Sequence, residues 1–353
     1  MEKEVISVCH KCYRHVDCVK YEKNGSIYID KVCPNHGKST HLIEPDAEFY
    51  INNKYNWRNL QCYFIEITNR CNLACPHCYQ MPDNKSIDSS VSGILNIVRQ
   101  WPDDGFPVAL VGAEPTIRDD LDEIMQEIWR LPGKKRDILI LTNGVRLSNK
   151  KFADKFKDLD NVYWTFGLNH KDYSGEKIRQ KQIEGINNCI ANGMKIKNIS
   201  YTLLDLTQLE DCIKEIDYFG KHYIDSCYRI RCGADIGRSP KDKRQIYLSE
   251  LLRETENLCD KNGMDIVHTP DNLANRAHFP VEINGIPTKI IQWPDASTLD
   301  LSELQTEAIA DILPGKPRSP LVHQVILRDG AINKGIELPD TIPDSVLKHF
   351  GII

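Results

Sequence analysis

From residue 62 onward the chain alternates short runs of β-branched and aromatic residues with longer amphipathic stretches. Within the amphipathic stretches, apolar residues recur at the spacing of one helical face, as they do over 91–98, 121–128 and 209–216. This alternation is typical of repeated βα units around a parallel sheet. It predicts six strands, near 62–68, 107–112, 137–142, 161–168, 195–203 and 226–232.

Cap and turn signals indicate where the intervening helices begin and end. Asp88 or Ser89 is predicted to cap the first helix, and Gly193 and Gly263 are predicted to end two later ones. Parallel strands joined by right-handed crossovers curl into a partial barrel, so the predicted fold class is α/β, a partial TIM-like (β/α)6 barrel. In such barrels functional groups lie at the C-terminal ends of the strands.

The two ends of the chain differ from this central pattern. Residues 1–55 are rich in cysteine and have few long apolar runs, which predicts a small metal-binding module. Residues 264–353 are less regular, with one short strand at 264–268 and a hairpin through Asn284 and Gly285. We therefore expect a barrel over 56–263 and a C-terminal extension over 264–353 that closes the barrel or shapes the substrate site.

Composition narrows the functional classes. The 353 residues carry a formal net charge of −5, so no overall basic field favours nucleic acid or an anionic membrane. The sequence contains no apolar run of membrane-spanning length and no signal-peptide pattern, which predicts a cytoplasmic protein. Because cytosolic thiols stay reduced, its 13 cysteines argue for metal ligation rather than disulfides.

The N-terminal segment has the ligands of a tetrahedral metal site. Cys9 and Cys12 form one pair, and Cys33 and His36 form a second pair in the run CPNH. Cys18 competes for the fourth position. Zinc is the favoured metal for this zinc-ribbon or rubredoxin-like module, while a single iron is chemically compatible with the same ligands. A segment this polar needs a bound metal to stabilise its fold, because it has little hydrophobic core.

Three further cysteines, Cys71, Cys75 and Cys78, follow the first predicted strand with CxxxCxxC spacing. Three thiolates in one tight loop leave one metal of a cubane cluster without a protein ligand, whereas a structural zinc site has four ligands. This run, with Tyr79 after the last cysteine, resembles the signature of the radical S-adenosylmethionine (radical SAM) superfamily. The resemblance implies a 4Fe–4S cluster whose unique iron chelates the amino and carboxylate groups of S-adenosylmethionine.

The run after the second predicted strand is similar to the GGEP motif of the same superfamily. Gly112, Ala113 and Glu114 stand in it, with alanine in place of the second glycine. The resemblance implies that small residues let backbone carbonyls approach the methionyl ammonium and that the carboxylate reaches the same group. Further candidate cofactor contacts follow later strands: Thr142, Asn143, Asn169, Tyr201, Thr202 and Arg231, which alternation places on the same strand face as Arg229, a second candidate for the methionyl carboxylate. No catalytic residue is assigned.

The remaining cysteines are interpreted mainly as core residues. Cys189, Cys212 and Cys259 fall on apolar helix stripes, and Cys62 and Cys227 fall in predicted strands. The roles of Cys18 and Cys232 stay open. A C-terminal auxiliary cluster is not expected, although a nonstandard second cluster that uses Cys18, Cys227 and Cys232 is formally open.

The N-terminal CxxC and CPxHG runs also resemble the first module of a radical SAM group that includes tetraether lipid synthases and proteins described as pterin methyltransferases. Resemblance to the radical SAM superfamily implies reductive cleavage of S-adenosylmethionine to a 5′-deoxyadenosyl radical that abstracts hydrogen from an unactivated carbon. A small-molecule biosynthetic substrate is favoured because the near-neutral charge gives no nucleic-acid footprint. An electron donor such as flavodoxin or ferredoxin would reduce the cluster. One alternative is a peptide or protein substrate. Another is a non-catalytic iron–sulfur and zinc sensor or RNA-binding adaptor.

Overall fold

The computed structural model describes residues 2–12, 14–53, 63–78, 82–101, 103, 105–222, 226–232, 245–269, 278–292, 297–298 and 300. These residues form two sheets. The first is an antiparallel meander of four strands, β1 (Glu2–Val8), β2 (His15–Lys23), β3 (Ser26–Cys33) and β4 (Gly37–Glu44). Asn24 and Gly25 both have positive φ, which fits the tight turn between β2 and β3.

The second sheet has nine strands in the order β11-β12-β13-β10-β9-β8-β7-β6-β5. Strands β5 to β10 run parallel to one another, and the β12–β13 hairpin adds β13 parallel to β10. All six predicted strands are found within one residue of their predicted bounds, and the α/β fold class is confirmed. The strands are β5 (Tyr63–Thr68), β6 (Val108–Gly112), β7 (Ile138–Thr142), β8 (Val162–Asn169), β9 (Lys195–Leu203), β10 (Cys227–Cys232), β11 (Ile266–His268), β12 (His278–Ile283) and β13 (Ile286–Ile291).

Helices connect the parallel strands, and their apolar residues join those of the sheet in one core. They are α1 (Ala47–Asn52) after the first sheet, then α2 (Val91–Arg99), α3 (Leu121–Arg130), α4 (Lys150–Ala153), α5 (Lys171–Ser174), α6 (Glu176–Ala191), α7 (Leu209–His222) and α8 (Leu248–Lys261). None of the helices within the described ranges combines the length and apolar content needed to cross a membrane.

The predicted helix ends are right at the C-termini and wrong at the N-terminus of α2. Gly193 and Gly263, both at φ +65°, follow the last turns of α6 and α8. Ser90, rather than Asp88 or Ser89, caps α2 by accepting a hydrogen bond from the Gly93 amide at 3.1 Å. The Asp88 side chain is engaged by the loop after β5 instead.

The two faces of the parallel sheet differ in chemistry because side chains alternate along each strand. On β8, Trp164, Phe166 and Leu168 are buried in the core against the helices. Their neighbours Thr165, Gly167 and Asn169 lie on the opposite face, which we call the inner face. The same alternation on β10 places Tyr228, Ile230 and Cys232 in the core and Cys227, Arg229 and Arg231 on the inner face.

The N-terminal sheet is joined to the barrel through buried polar contacts. Glu44 at the end of β4 accepts hydrogen bonds from the Ser249 hydroxyl and from the Ser249 amide (3.4 Å) at the start of α8. Lys20 pairs with Asp300 and donates to the Tyr50 hydroxyl at 3.2 Å, and all three of these residues are buried. Because buried charges are costly unless paired, these contacts tie the module to one position on the barrel.

Glu44 makes this interface sensitive to pH. Burial raises the pKa of Glu44, so the folded state binds this proton more tightly than the unfolded chain does. The stability that Glu44 contributes therefore falls as pH rises through the folded-state pKa, where the buried carboxylate becomes charged. We expect Glu44→Gln to be more stable than wild type at pH 7.5, with a difference that shrinks towards pH 4.5.

Urea unfolding of both proteins across this pH range measures the difference in the free energy of unfolding. Glu48→Gln, at an exposed position of α1, is the matched control and should track wild type at every pH. A constant difference between Glu44→Gln and wild type across the range would contradict the prediction.

Candidate functional site

The cysteine loop follows the C-terminal end of β5. Hydrogen bonds donated by its own backbone amides hold its conformation. The Cys71 amide donates to Asn84 Oδ1 at 2.9 Å, and the Leu73 amide donates to Cys71 Sγ at 3.3 Å. The Cys78 amide donates to the Cys75 carbonyl at 3.2 Å. Cys71 is buried, whereas Cys75 and Cys78 are half-buried. Tyr79 lies outside the described residues.

Amide side chains from two neighbouring strand ends reach the cysteine sulfurs. Asn169, the last residue of β8, donates from Nδ2 to Cys75 Sγ at 2.9 Å. Asn143, directly after β7, has its Nδ2 at 3.9 Å from Cys71 Sγ and donates to Asn72 Oδ1 at 2.8 Å. The structure thus brings the predicted residues Asn143 and Asn169 to the cysteine loop at one edge of the sheet.

The electrostatics of this pocket favour a bound cation. Burial, with smaller contributions from Glu114, Cys75 and Cys78, raises the pKa of Cys71 to about 12, although the hydrogen bond from the Leu73 amide opposes the shift. A thiolate at this position is therefore unfavourable without compensating positive charge. Bound iron supplies that charge, and nitrogen donors aimed at the sulfurs suit thiolate ligands. By this test the three cysteines and their surroundings fit an iron–sulfur cluster.

Asp88 anchors the start of the loop, a role that the sequence analysis missed. Its carboxylate accepts from Thr68 Oγ1 at 2.6 Å and from Arg70 Nε at 3.1 Å. Arg70 also forms an ion pair with it. Because Thr68 is the last residue of β5 and Arg70 immediately precedes Cys71, these bonds fix the point at which the loop departs from β5. The sequence offered only a helix-cap signal for Asp88.

The turn after β6 packs directly on the same segment. The Ala113 amide donates to the Thr68 carbonyl at 3.0 Å, and the Glu114 amide donates to the Arg70 carbonyl at 3.1 Å. Gly112 has φ +129°, and a Cβ placed there would lie 2.1 Å from the Thr68 carbonyl oxygen. The glycine is required here by the close approach of two backbones.

Glu114 is buried and fully engaged by the protein. Its Oε1 accepts from the Thr116 amide at 3.1 Å, the Thr116 hydroxyl at 2.5 Å and the Thr142 hydroxyl at 2.6 Å. Its Oε2 accepts from the Asn143 amide at 2.7 Å. Burial raises the pKa of Glu114 above its ordinary value, although these hydrogen bonds oppose the shift. The bonds give Glu114 a positioning role for Thr142 and Asn143, while a direct contact with the cofactor stays a prediction.

Gln182 is a second residue that the sequence analysis missed. Its Nε2 donates to the Asn143 carbonyl at 2.9 Å and to the Gly167 carbonyl at 3.2 Å, and its Oε1 accepts from the Asn169 amide at 3.3 Å. This side chain on α6 thereby joins the ends of β7 and β8. A lone glutamine in an amphipathic helix gives no sequence signal for that role.

Arg231 lies on the inner face near the cysteine loop. Burial, together with the nearby Arg231 guanidinium, lowers the pKa of His77 to about 4. Thr202 occupies the position beside Arg231 on β9, so it shares the inner face. Tyr201, given above as a candidate cofactor contact, is buried in the core against the helices rather than on the inner face. The strand alternation simply places it on the other side.

The N-terminal metal ligands converge as predicted. The ligand atoms of Cys9, Cys12, Cys33 and His36 all lie within 4.8 Å of one another. They come from two turns at the same end of the antiparallel sheet, one between β1 and β2 and one between β3 and β4. Cys12 Sγ is 3.7 Å from Cys33 Sγ, and His36 Nδ1 is 3.5 Å from Cys33 Sγ. Three thiols and one imidazole at these separations could hold one metal ion in a tetrahedral site.

The other described cysteines are not among the four converging N-terminal ligands. Cys18 is buried in the core of the module and donates to the Val16 carbonyl at 3.3 Å. Cys189, Cys212 and Cys259 are buried in the main core as predicted, and Cys62 lies outside the described residues. Cys227 and Cys232 sit on opposite faces of β10, so they cannot share a metal, which argues against the nonstandard second cluster.

Comparison with known proteins places these two sites in context. Residues 65–217 match the family model of the Radical SAM superfamily, and residues 1–45 match that of the HMPTM N-terminal zinc ribbon domain. The chain is 29% identical over 225 residues to the 7,8-dihydro-6-hydroxymethylpterin dimethyltransferase of Methanocaldococcus jannaschii, covering 52% of this chain and 44% of that protein.

Two further comparisons cover different shares of the chain. A GTP 3',8-cyclase of Clostridium perfringens is 26% identical over 177 residues, covering 48% of this chain and 54% of that protein. The chain therefore spans about half the length of these two curated relatives. The crystal structure of Streptococcus suis SuiB aligns with a TM-score of 0.48 at 16% identity, covering 78% of this chain and 68% of that one.

The close approach of Gly112 to the Thr68 carbonyl leads to a prediction for Gly112. Replacement Gly112→Ala introduces a Cβ at the Thr68 carbonyl and strains a positive-φ position. We expect a loss of roughly 3 kcal/mol in the free energy of unfolding, the sum of overpacking and backbone strain. Gly193→Ala is the matched control, since Gly193 also has positive φ but has no atom within 4 Å of its added Cβ.

The control should lose only about 1–2 kcal/mol, the backbone part alone. Urea unfolding followed by tryptophan fluorescence measures both variants. Equal losses in the free energy of unfolding for the two variants would show that the close approach of Gly112 to Thr68 does not contribute to the cost of the substitution.

Proposed function

Because this chain belongs to the radical SAM superfamily through residues 65–217, we propose that it is an enzyme that cleaves S-adenosylmethionine reductively and acts on a small-molecule biosynthetic substrate. The observation that carries the proposal is the hydrogen bond from Asn169 to Cys75 Sγ. This bond joins the cysteine loop after β5 to the end of β8, three strands away. A loop of three cysteines is thereby held over the mouth of the barrel, where substrates of such folds bind.

The residues proposed to hold the cluster are Cys71, Cys75 and Cys78, one for each of three irons of a 4Fe–4S cluster. When bound, the cluster supplies an electron that breaks the sulfur–C5′ bond of S-adenosylmethionine and yields a 5′-deoxyadenosyl radical and methionine. The chain's own part is to fix the thiolates and tune them. Nitrogen donors such as Asn169 Nδ2 withdraw charge from the sulfurs and make reduction easier.

The proposed contacts with S-adenosylmethionine surround this loop. Gly112, Ala113, Thr142 and Asn143 form the adjoining strand ends, and Asn169 lies beside Cys75. Arg231 is proposed to pair with the methionyl carboxylate, because its guanidinium already lies close enough to act on His77 in the cysteine loop. Glu114 contributes by holding Thr142 and Asn143 in place.

A small molecule is the proposed substrate class for two reasons. The two curated relatives are named for small molecules, a hydroxymethylpterin and GTP. The formal net charge of −5 also provides no basic surface for nucleic acid. The electron for cleavage is proposed to come from an external one-electron carrier such as flavodoxin or ferredoxin.

The N-terminal module is proposed to hold structural zinc through Cys9, Cys12, Cys33 and His36. Hydrogen bonds from the Asn35 and His36 backbone lower the pKa of Cys33 to about 6 although burial opposes this, which favours the thiolate that a metal binds. A histidine among the four ligands favours zinc over iron. In this proposal the metal fixes the module, and the module is docked against α8.

The central prediction concerns Cys75. After anaerobic reconstitution with iron and sulfide, then dithionite and S-adenosylmethionine, wild type should form 5′-deoxyadenosine. Cys75→Ala should lose the iron–sulfur absorbance and at least 100-fold in 5′-deoxyadenosine formation, because one iron loses its ligand. Cys259→Ala, at a buried core cysteine of α8, is the control and should keep both. Cleavage retained by Cys75→Ala would refute the ligand assignment.

A second prediction separates the two metals. Cys33→Ala should lose zinc, measured by elemental analysis, and lower the melting temperature while the iron content of the barrel stays near that of wild type. Cys18→Ala, in the same module but outside the ligand set, should retain zinc. Loss of both metals in Cys33→Ala would show that the module and the barrel do not act as separate metal sites.

A further inference from the structure

Two cations face each other on the inner face of the sheet. Arg229 of β10 lies directly opposite Lys289 of β13 in a parallel pairing, and both side chains belong to the face turned away from the helices. Strands in a sheet are about 4.8 Å apart, so the two side chains leave the backbone as close neighbours. Like charges in directly opposed positions destabilise a sheet.

No carboxylate compensates this pair among the described residues. Arg229 has a buried Nε without a hydrogen-bond partner, and the nearby side chain that acts on it is the Cys227 thiol. Lys289 likewise forms no ion pair with an acidic group in the described part of the chain. A guanidinium has five donors, and leaving a buried donor unused is costly unless a ligand accepts from it.

Arg229 and Lys289 belong to one row of residues that pair across neighbouring strands on the inner face. Two small residues continue this row. Ser200 of β9 lies opposite Arg229, and Gly167 of β8 lies opposite Ser200. Ser200 is 2% exposed, and its Oγ has no hydrogen-bond partner. A Cβ placed on Gly167 would meet no atom nearer than 3.9 Å. The row therefore combines two cations and a free hydroxyl with space beside them.

We propose that Arg229, Lys289 and Ser200 bind an oxyanion, a phosphate or a carboxylate, of the substrate. The guanidinium and ammonium supply charge-assisted hydrogen bonds, and the serine hydroxyl supplies a third donor. The statement that this anion belongs to the substrate rests on the proposed function, whereas the anion site itself rests on the row.

The position of the row fits a substrate held beneath the cysteine loop. The row that contains Asn169, Thr202 and Arg231 is two residues further along the strands. At about 3.3 Å per residue, the anion site is therefore about 7 Å deeper in the barrel than Asn169, which touches Cys75. A small molecule anchored by its anionic end can extend from there towards the cluster loop.

Titration calorimetry on the anaerobically reconstituted protein tests the site with two probes, inorganic pyrophosphate and malonate. We expect one of them to bind saturably, and the one that binds identifies the anion as phosphate or carboxylate. Arg229→Gln and Lys289→Gln should each weaken that binding at least 10-fold, and Ser200→Ala should weaken it several-fold. Lys195→Gln, at an exposed lysine of β9, is the matched control and should bind like wild type.

A second readout is independent of binding. Without an anion, Lys289→Gln should melt at a higher temperature than wild type, because the substitution relieves the repulsion from Arg229. A lysine that served only the fold would produce the opposite shift. Binding that is absent for both probes, or equal in wild type and the two charge variants, would overturn the inference.

Failure of the proposed function is distinguished on the same wild-type sample by its formation of 5′-deoxyadenosine. Saturable anion binding without cleavage would overturn the proposed function and leave the anion site standing. Cleavage with anion binding that does not respond to the charge variants would overturn the anion site alone.

Discussion

The buried carboxylate of Glu114 is the interaction on which the geometry of the site depends. Its side chain accepts from Thr142 and from the Asn143 amide, while its own amide donates to the Arg70 carbonyl. One residue thereby connects the ends of three strands, β5, β6 and β7. A charge this deeply buried is tolerated only when its hydrogen bonds are made, so the strand ends have little freedom relative to one another. The cysteine loop is restricted in the same way, because the Glu114 amide is bonded to Arg70 directly before Cys71.

Around this centre the structure separates cofactor chemistry from stability. The cysteine loop draws its partners from strand ends and turns, such as Asn143, Asn169 and Asp88. The core against the helices is apolar and includes Cys189, Cys212, Cys232 and Cys259 as packing residues. The N-terminal module adds its own four ligands and is held through Glu44, which contacts Ser249, and through Lys20, which contacts Asp300. Hydrogen bonds thus hold the cysteine loop, apolar packing holds the core, and converging ligands and buried polar contacts hold the N-terminal module.

Much of this architecture could be predicted because it follows from local patterns. Strand positions follow from β-branched runs, and both cysteine sets follow from their spacing. The roles of Gln182 and Asp88 could not be predicted, since each depends on which backbone groups tertiary folding brings within reach. Tyr201 and Thr202 were both candidate cofactor contacts, and the alternation along β9 places only Thr202 on the inner face. The pairing of Arg229 with Lys289 depends on a register between strands about 60 residues apart, which no local pattern encodes.

The placement of β13 beside β10 also bears on how this fold can diversify. The hairpin that carries Lys289 comes after the sixth βα unit, yet it completes the inner face next to Arg229. None of the described contacts of the cysteine loop comes from this hairpin. Sequence changes in the hairpin could therefore alter which molecules the barrel accepts while the radical-generating end stays intact. Such an arrangement lets selectivity change without rebuilding the reaction centre.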